Sequence, residues 1–347
     1  MKKLIDKLAL QHNLSDTELQ SLIENRNEEI SRYLFQKAAE CRQKIYGKDV
    51  YVRGLIEFTN YCKNNCYYCG IRAGNKNVER YRLNEEQILE CCNTGYAIGY
   101  RTFVLQGGED AYYTKEKIAS IVSKIKALYP DCAMTLSFGE HDFDTYKLWF
   151  DAGADRYLLR HETADGEHYA KLHPSVLTLE NRKKCLYNLK EIGYQTGCGF
   201  MVGSPYQTVE HIVKDLRFIK EFGPEMVGIG PFIPHKETPF ADFQTGSVEL
   251  TLFLLSIVRL LCPNVLLPAT TALGTAKEDG RELGILAGAN VCMPNLSPKE
   301  VRSKYLLYNN KLISGAEAAE DFELLSKKME KIGYRVVKHR GDFKKRG

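Results

Sequence analysis

The sequence predicts an α/β protein: a complete (βα)8 barrel of the TIM type with an N-terminal helical extension and a C-terminal helix. Three observations lead there. From about residue 50, eight short runs rich in β-branched and aromatic residues alternate with helical runs. Several of the helical runs end in Gly, the residue that most often terminates a helix. Eight such units close into a barrel of roughly 250 residues, which fits within the 347 residues present.

The elements follow in order. Residues 1–47 read as a helical extension: Ser15-Asp16-Thr17-Glu18 carries capping chemistry, and EEISRYLFQKAAECRQKIYG repeats apolar residues at helical spacing. Residues 48–310 read as the barrel, with strands at 52–59, 101–107, 133–139, 156–162, 195–203, 226–233, 265–272 and 290–295. Helical runs such as EEQILECCNTGYAIG, ENRKKCLYNLKEIG and ELTLFLLSIVRLL separate them, and SPKEVRSKYLLYN is the expected eighth helix. Residues 311–347 hold a last helix, SGAEAAEDFELLSKKMEKIG, and a basic tail expected to be solvated and partly frayed.

Composition excludes several classes. The 44% hydrophobic and 27% charged residues are ordinary for a globular protein, and a net charge of +4 is too small to argue for nucleic acid. No apolar run is long enough to span a membrane, and the first residues lack a signal-peptide core, so a cytoplasmic location is expected. The 11 cysteines, without a secretion signal, argue against a disulfide framework, and clustered cysteines in that setting more often bind metal.

Three of them crowd TNYCKNNCYYCGIR: Cys62, Cys66 and Cys69, leaving the C-terminal end of the first strand, where barrels place their chemistry. A structural zinc site or a fully protein-ligated 4Fe–4S cluster needs four ligands, and no fourth cysteine follows nearby. Three thiolates leave one iron of a cubane open to a ligand that is not protein. The alternative is a zinc site completed by a distant Cys or His. The C-x3-C-x2-C spacing, with Tyr68 before the last cysteine, resembles the signature of the radical S-adenosylmethionine (SAM) superfamily. The resemblance implies one 4Fe–4S cluster on Cys62, Cys66 and Cys69 whose open iron chelates SAM.

Other strand ends fit that reading. LQGGEDA places Gly107, Gly108 and Glu109 after the second strand, where glycines let a ligand approach the backbone. It looks like the superfamily's GGE motif, which receives the amino group of SAM. In RYLLRHET, strand alternation puts Leu158, Arg160 and Glu162 on one face and His161 on the other, so Arg160 and Glu162 read as ligand groups and His161 as structural. Arg182, early on the next helix, is a candidate to hold a carboxylate at the same mouth, with a solvated surface arginine as the alternative. GFMVGSPYQT, with Met201, resembles the superfamily's glycine-containing turn. VGIGPFIPH, with Ile229, has the glycines and prolines of a backbone on which a flat adenine packs. Thr135, Ser137, Thr270 and Thr271 add hydroxyls, and each of these single features is equally consistent with strand-end hydrogen bonding.

The phrases IEFTNYCKNNCYYCGIRAGNKNVERYR, VLQGGED, TLSFGE, AGADRYLLRHETA, GIGPFIPH, PATTALGT and ANVCMPN together resemble the HydE family, the radical SAM maturases of FeFe-hydrogenase, over roughly residues 50–310. The resemblance implies SAM at the top of the barrel, with Glu162 and Arg182 holding it, and an internal cavity lined by Gln106, Thr135, Ser137, Arg160, Met226, Thr270, Thr271, Tyr305 and Tyr308. It implies a cysteine-bound Fe(CO)2(CN) substrate supplied by HydG, a HydF scaffold, and an electron donor such as ferredoxin or flavodoxin. The region after the eighth strand, YLLYNNKLISGAEAAEDFELL, has no cysteine, so a single cluster is expected. Three other readings stay open: a PylB-like methylornithine synthase, a biotin-synthase-like sulfur inserter, and a non-catalytic iron–sulfur scaffold. The second needs further cluster ligands inside the barrel; Cys198 is suggestive, but Cys185, Cys198 and Cys292 read as core.

Overall fold

In the computed structural model, residues 1–344 are described, so the last three residues of the expected basic tail lie outside the described residues. The barrel wall begins with β1 (Asp49–Val52) and β2 (Gly54–Thr59), one run broken at Arg53. It continues through β3 (Thr102–Gly107), β4 (Ala133–Ser137), β5 (Arg156–Leu158), β6 (Gln195–Cys198), β7 (Met201–Val202), β8 (Met226–Val227), β9 (Gly230–Pro231) and β10 (Val291–Cys292). The parallel order β2-β3-β4-β5-β6-β8 forms most of the wall. Single parallel bridges Met226–Leu266, Pro268–Val291 and Leu55–Asn295, with the pairing of β1 to β10, close the ring. The expected seventh strand is thus only bridges, because Pro268 has no N–H to donate to a ladder.

The helices between strands start and stop where their caps dictate. Asn84, Thr114, Asp142, Thr178, Thr208 and Ser247 each accept a first-turn amide. Gly99, Gly193 and Gly223 end three of the helices in the left-handed region. The N-terminal helices Lys2–Gln11, Asp16–Glu24 and Glu28–Tyr46 pack on the outer helices, and Ser15 and Glu18 form the expected capping box. Val248–Leu261 lies under the first and third of them, which explains why it is apolar on every side.

Three differences from the sequence reading shape the site. Strands five and six do not run straight to their ends. Both break at facing glycines, and β7 and β9 pair separately above the break. Gly199, at φ +151°, would place a Cβ 2.0 Å from the Gly228 carbonyl, so only glycine allows the two backbones to meet there. Second, the expected eighth helix is only Lys299–Arg302. The following residues cross the top of the barrel instead, bringing Tyr305, Leu307 and Tyr308 to the mouth.

Third, the C-terminal segment is not frayed over its described part. Arg335–Val337 (β11) pairs parallel with β1. Beyond it, Arg156 Nη2 donates to Asp342 Oδ1 at 2.6 Å and Arg340 Nε to Asp342 Oδ2 at 2.9 Å. Burial alone would raise the Asp342 pKa, but Arg156 and Arg340 outweigh it and bring it down to about 2. A depressed carboxylate stabilises the fold above its unfolded pKa of roughly 4, and that contribution is lost as pH falls through 2. The Asp342 side chain is 42% exposed, so solvent screening reduces its contribution to about 1 kcal/mol. Asp342→Asn is therefore expected to lower the thermal midpoint at pH 7 and to narrow that gap progressively below about pH 4. An equal gap across the range would show that the carboxylate charge is not what holds the tail.

Candidate active site at the mouth of the barrel

The three-cysteine loop is braced by its own hydrogen bonds. Arg80 donates to the carbonyls of Asn60, Ile71, Arg72 and Asn75 and so ties both ends of the loop together. Gly70 N–H donates to Leu307 O at 2.8 Å, and Tyr67 N–H to Leu172 O at 3.0 Å. The loop presents Cys62, Cys66 and Cys69 to one cavity of about 300 Å³.

The same cavity gathers most of the expected residues. Tyr68, Gly107, Gly108, Glu109, Glu162, Arg182 and Met201 line it. So do Gln106, Ser137, Arg160, Thr270, Tyr305 and Tyr308. Four expected residues are not in its lining. Thr135 sits two residues before Ser137 on β4, buried, with a hydroxyl that has no partner. Met226 lies lower on its strand and accepts a bond from the buried Arg53. Ile229 is in the hydrophobic core. Thr271 turns away to donate to Glu317 Oε2 at 2.8 Å, while Thr270 caps the same helix from its cavity side.

Glu162 is held in the left-handed region at φ +65°, rare for a residue with a side chain. Its N–H donates to Gly199 O at 3.0 Å, and Arg160 Nη2 lies 3.1 Å from its Oε2. His161 points the other way, accepts the Gly199 amide at Nδ1, and is kept neutral by burial, with a pKa lowered to about 3. Burial likewise lowers His173 to about 3. Its Nδ1 donates to Tyr169 O, so Nε2 accepts the Tyr68 hydroxyl at 3.1 Å.

Two residues escaped the sequence reading. Glu140 ends the TLSFGE phrase just past β4, and its carboxylate takes the Arg182 Nε–H. Its backbone N–H also donates to Glu109 Oε1 at 2.9 Å, so one residue positions both groups. An acid immediately beyond a strand-end glycine at the barrel mouth was the available signal. Gly139 is the second: at φ +94° a Cβ there would lie 2.0 Å from Glu109 Oε1. We predict that Glu140→Gln weakens binding of the SAM that the resemblance implies by about 1.5–3 kcal/mol, the usual range for a hydrogen bond to a charged group. Equilibrium binding to the reconstituted protein checks this, and an unchanged affinity would remove Glu140 from the site.

Comparison with known proteins identifies the family. A model of the Radical SAM superfamily matches residues 56–219. The [FeFe] hydrogenase maturase subunit HydE of Thermotoga maritima is 49% identical over 279 residues, 80% of this chain and 79% of that protein.

The chain belongs to the HydE family of radical SAM enzymes.

A second relative, 3-methylornithine synthase of Methanosarcina acetivorans, is 30% identical over 330 residues, 94% of this chain and 92% of that one. The crystal structure of a methylornithine synthase (PylB) superposes with a TM-score of 0.85 at 28% identity, covering 96% of this chain and 97% of that chain. HydE membership brings a 4Fe–4S cluster and SAM as cofactors. The residues fit that pair. The three thiols line one cavity, and burial with mutual repulsion raises the pKa of Cys66 to about 12 and of Cys69 further, so thiolates there call for a compensating cation. Among the described residues, no three Cys, His, Asp or Glu side chains converge on one ion. Cubane thiolates each bind a different iron, so convergence on a single point is not required. No helix among the described residues is long and apolar enough to cross a membrane.

Proposed function

We propose that this protein is an FeFe-hydrogenase maturase that cleaves SAM and acts on a cysteine-bound Fe(CO)2(CN) precursor of the diiron subsite. The observation that carries this reading is the 49% identity to the Thermotoga maritima HydE, against 30% to the methylornithine synthase. The cavity lining supports it. Among the described residues its only carboxylates, Glu109 and Glu162, sit at the expected SAM end, whereas Gln106, Ser137, Thr270, Tyr305 and Tyr308 offer amide and hydroxyl groups. A lysine substrate carries two ammonium groups, and beyond the two carboxylates at the SAM end the described lining offers them neutral acceptors and no further anion.

When bound, the cluster supplies the electron that splits SAM into methionine and a deoxyadenosyl radical. Cys62, Cys66 and Cys69 would hold the cluster. Glu162 and Glu109 would accept from the SAM ammonium, and Arg182 would pair with its carboxylate. Met201 and the Gly230-Pro231 backbone would take the adenine. Tyr305, Leu307 and Tyr308 would close the cavity from above and keep water from the reacting atoms. HydG as the source of the precursor, HydF as the scaffold, and a ferredoxin or flavodoxin as donor complete the proposed setting.

The test is an anaerobic incubation with SAM and dithionite. Deoxyadenosine formed faster with the synthetic iron–cysteine complex than with lysine supports the maturase. Stimulation by lysine alone supports the mutase reading, and no deoxyadenosine under any condition leaves only a scaffold.

A further inference from the structure

The cluster loop begins beside a surface feature that SAM binding does not use. Tyr61, the residue before Cys62, is 36% exposed, and the Arg82 guanidinium lies over its ring at 3.8 Å. The same guanidinium lies 4.8 Å from the ring of Tyr112, 47% exposed, and Lys117 Nζ lies 3.7 Å from the Tyr112 ring. The four side chains form a ladder of alternating aromatic and cationic groups on the outside of the barrel mouth.

The ladder is held from below. Arg82 binds Asp110 through two bonds, of 2.7 and 2.9 Å, and Asp110 also accepts from Thr59 Oγ1 at 2.8 Å and Tyr112 N–H at 3.0 Å. Asp110 is buried, so the carboxylate sits beneath while the cations face out. Lys63, 65% exposed, follows Cys62 and pairs with the buried Glu109, at the edge of a pocket of mixed charge that Glu140, Asp142, Asp144 and Lys184 also line.

Resting on the SAM-cleaving reading above, we propose that this ladder is the docking surface for an acidic one-electron carrier protein. Arginine and tyrosine are the residues that anchor interfaces, and a preordered ladder loses little entropy on binding. Its charge complements an acidic partner and steers encounter. Its place is the functional argument: Tyr61 is bonded to Cys62, so a carrier seated on its ring is one residue from a cluster ligand. One electron leaves the reduced carrier, which is oxidised by one, and enters the cluster on Cys62, Cys66 and Cys69, which is reduced by one. No proton or other co-reactant is needed.

The test uses the reconstituted full chain, an acidic flavodoxin as probe, and the double variant Tyr112→Ala, Lys117→Glu, neither residue touching the cavity. Calorimetric titration of flavodoxin into wild type at low salt should show binding that weakens as ionic strength rises. The variant should bind about tenfold more weakly at low salt and show a shallower salt dependence, since Arg82 and Lys63 remain. Deoxyadenosine formation driven by photoreduced flavodoxin should fall in parallel, while dithionite-driven formation stays at the wild-type rate. Equal flavodoxin affinity in both proteins overturns the proposal. An equal loss with dithionite also overturns it, since the ladder would then merely support the SAM site. A change of oligomeric state in the variant would reassign the surface to a second copy of the chain. Failure of wild type to cleave SAM with dithionite would sink the enzymatic reading instead, and leave the binding measurement standing.

Discussion

Cys66→Ala is expected to abolish deoxyadenosine formation while leaving a folded protein. Removing one thiolate leaves two ligands on the loop, too few to hold a cubane against dissociation. The loop itself does not depend on the metal, since Arg80 braces it through four carbonyls. The substitution removes one sulfur from a small, half-buried side chain, a packing loss of about 1 kcal/mol. Iron per chain after anaerobic reconstitution, deoxyadenosine yield and thermal midpoint are the three measurements. Wild-type turnover from an intact variant would remove the cluster from this loop.

Gly108→Ala should be nearly as damaging, although it removes no ligand. A Cβ at Gly108 would lie 2.2 Å from the Tyr61 carbonyl oxygen and 2.6 Å from Cys62 Cβ. The first of these is backbone and cannot swing aside, so the strand end and the start of the cluster loop must separate. Displacement of a reacting group by about 1 Å costs on the order of 100-fold in rate, and we expect a loss of that size together with reduced iron loading. Gly166→Ala is the matched control. Nothing lies within 4 Å of a Cβ there, so it should behave as wild type. If Gly108→Ala loads iron and cleaves SAM normally, the close approach of the two strand ends does not position the cluster.

Much of the mouth was legible because its residues sit at strand ends with local signatures. Glycines at 107 and 108, charges at 160 and 162 and thiols at 62, 66 and 69 follow strands whose alternation is short-range information. The failures share a cause. Thr270 and Thr271 looked equivalent, but a helix starts between them, so one faces the cavity and the other Glu317. Tyr305 and Tyr308 were placed at the cavity by family likeness alone. The chain there was expected to be helical, and instead Lys311 turns inward to Glu57, 254 residues away, and to the Tyr305 carbonyl. The tail was read as solvated because its lysines and arginines carry no local sign of the Arg156 that Asp342 meets.

The amino-acid sequence by itself determined the βα alternation, the capped helices and the three-thiol loop, because each rests on contacts within a few residues. Only the tertiary structure decided which residues share the cavity, how Glu140 holds Arg182 beside Glu109, and that the C-terminal segment closes against β1. Those outcomes depend on pairs far apart along the chain, whose burial and charge compensation are settled only when the barrel closes.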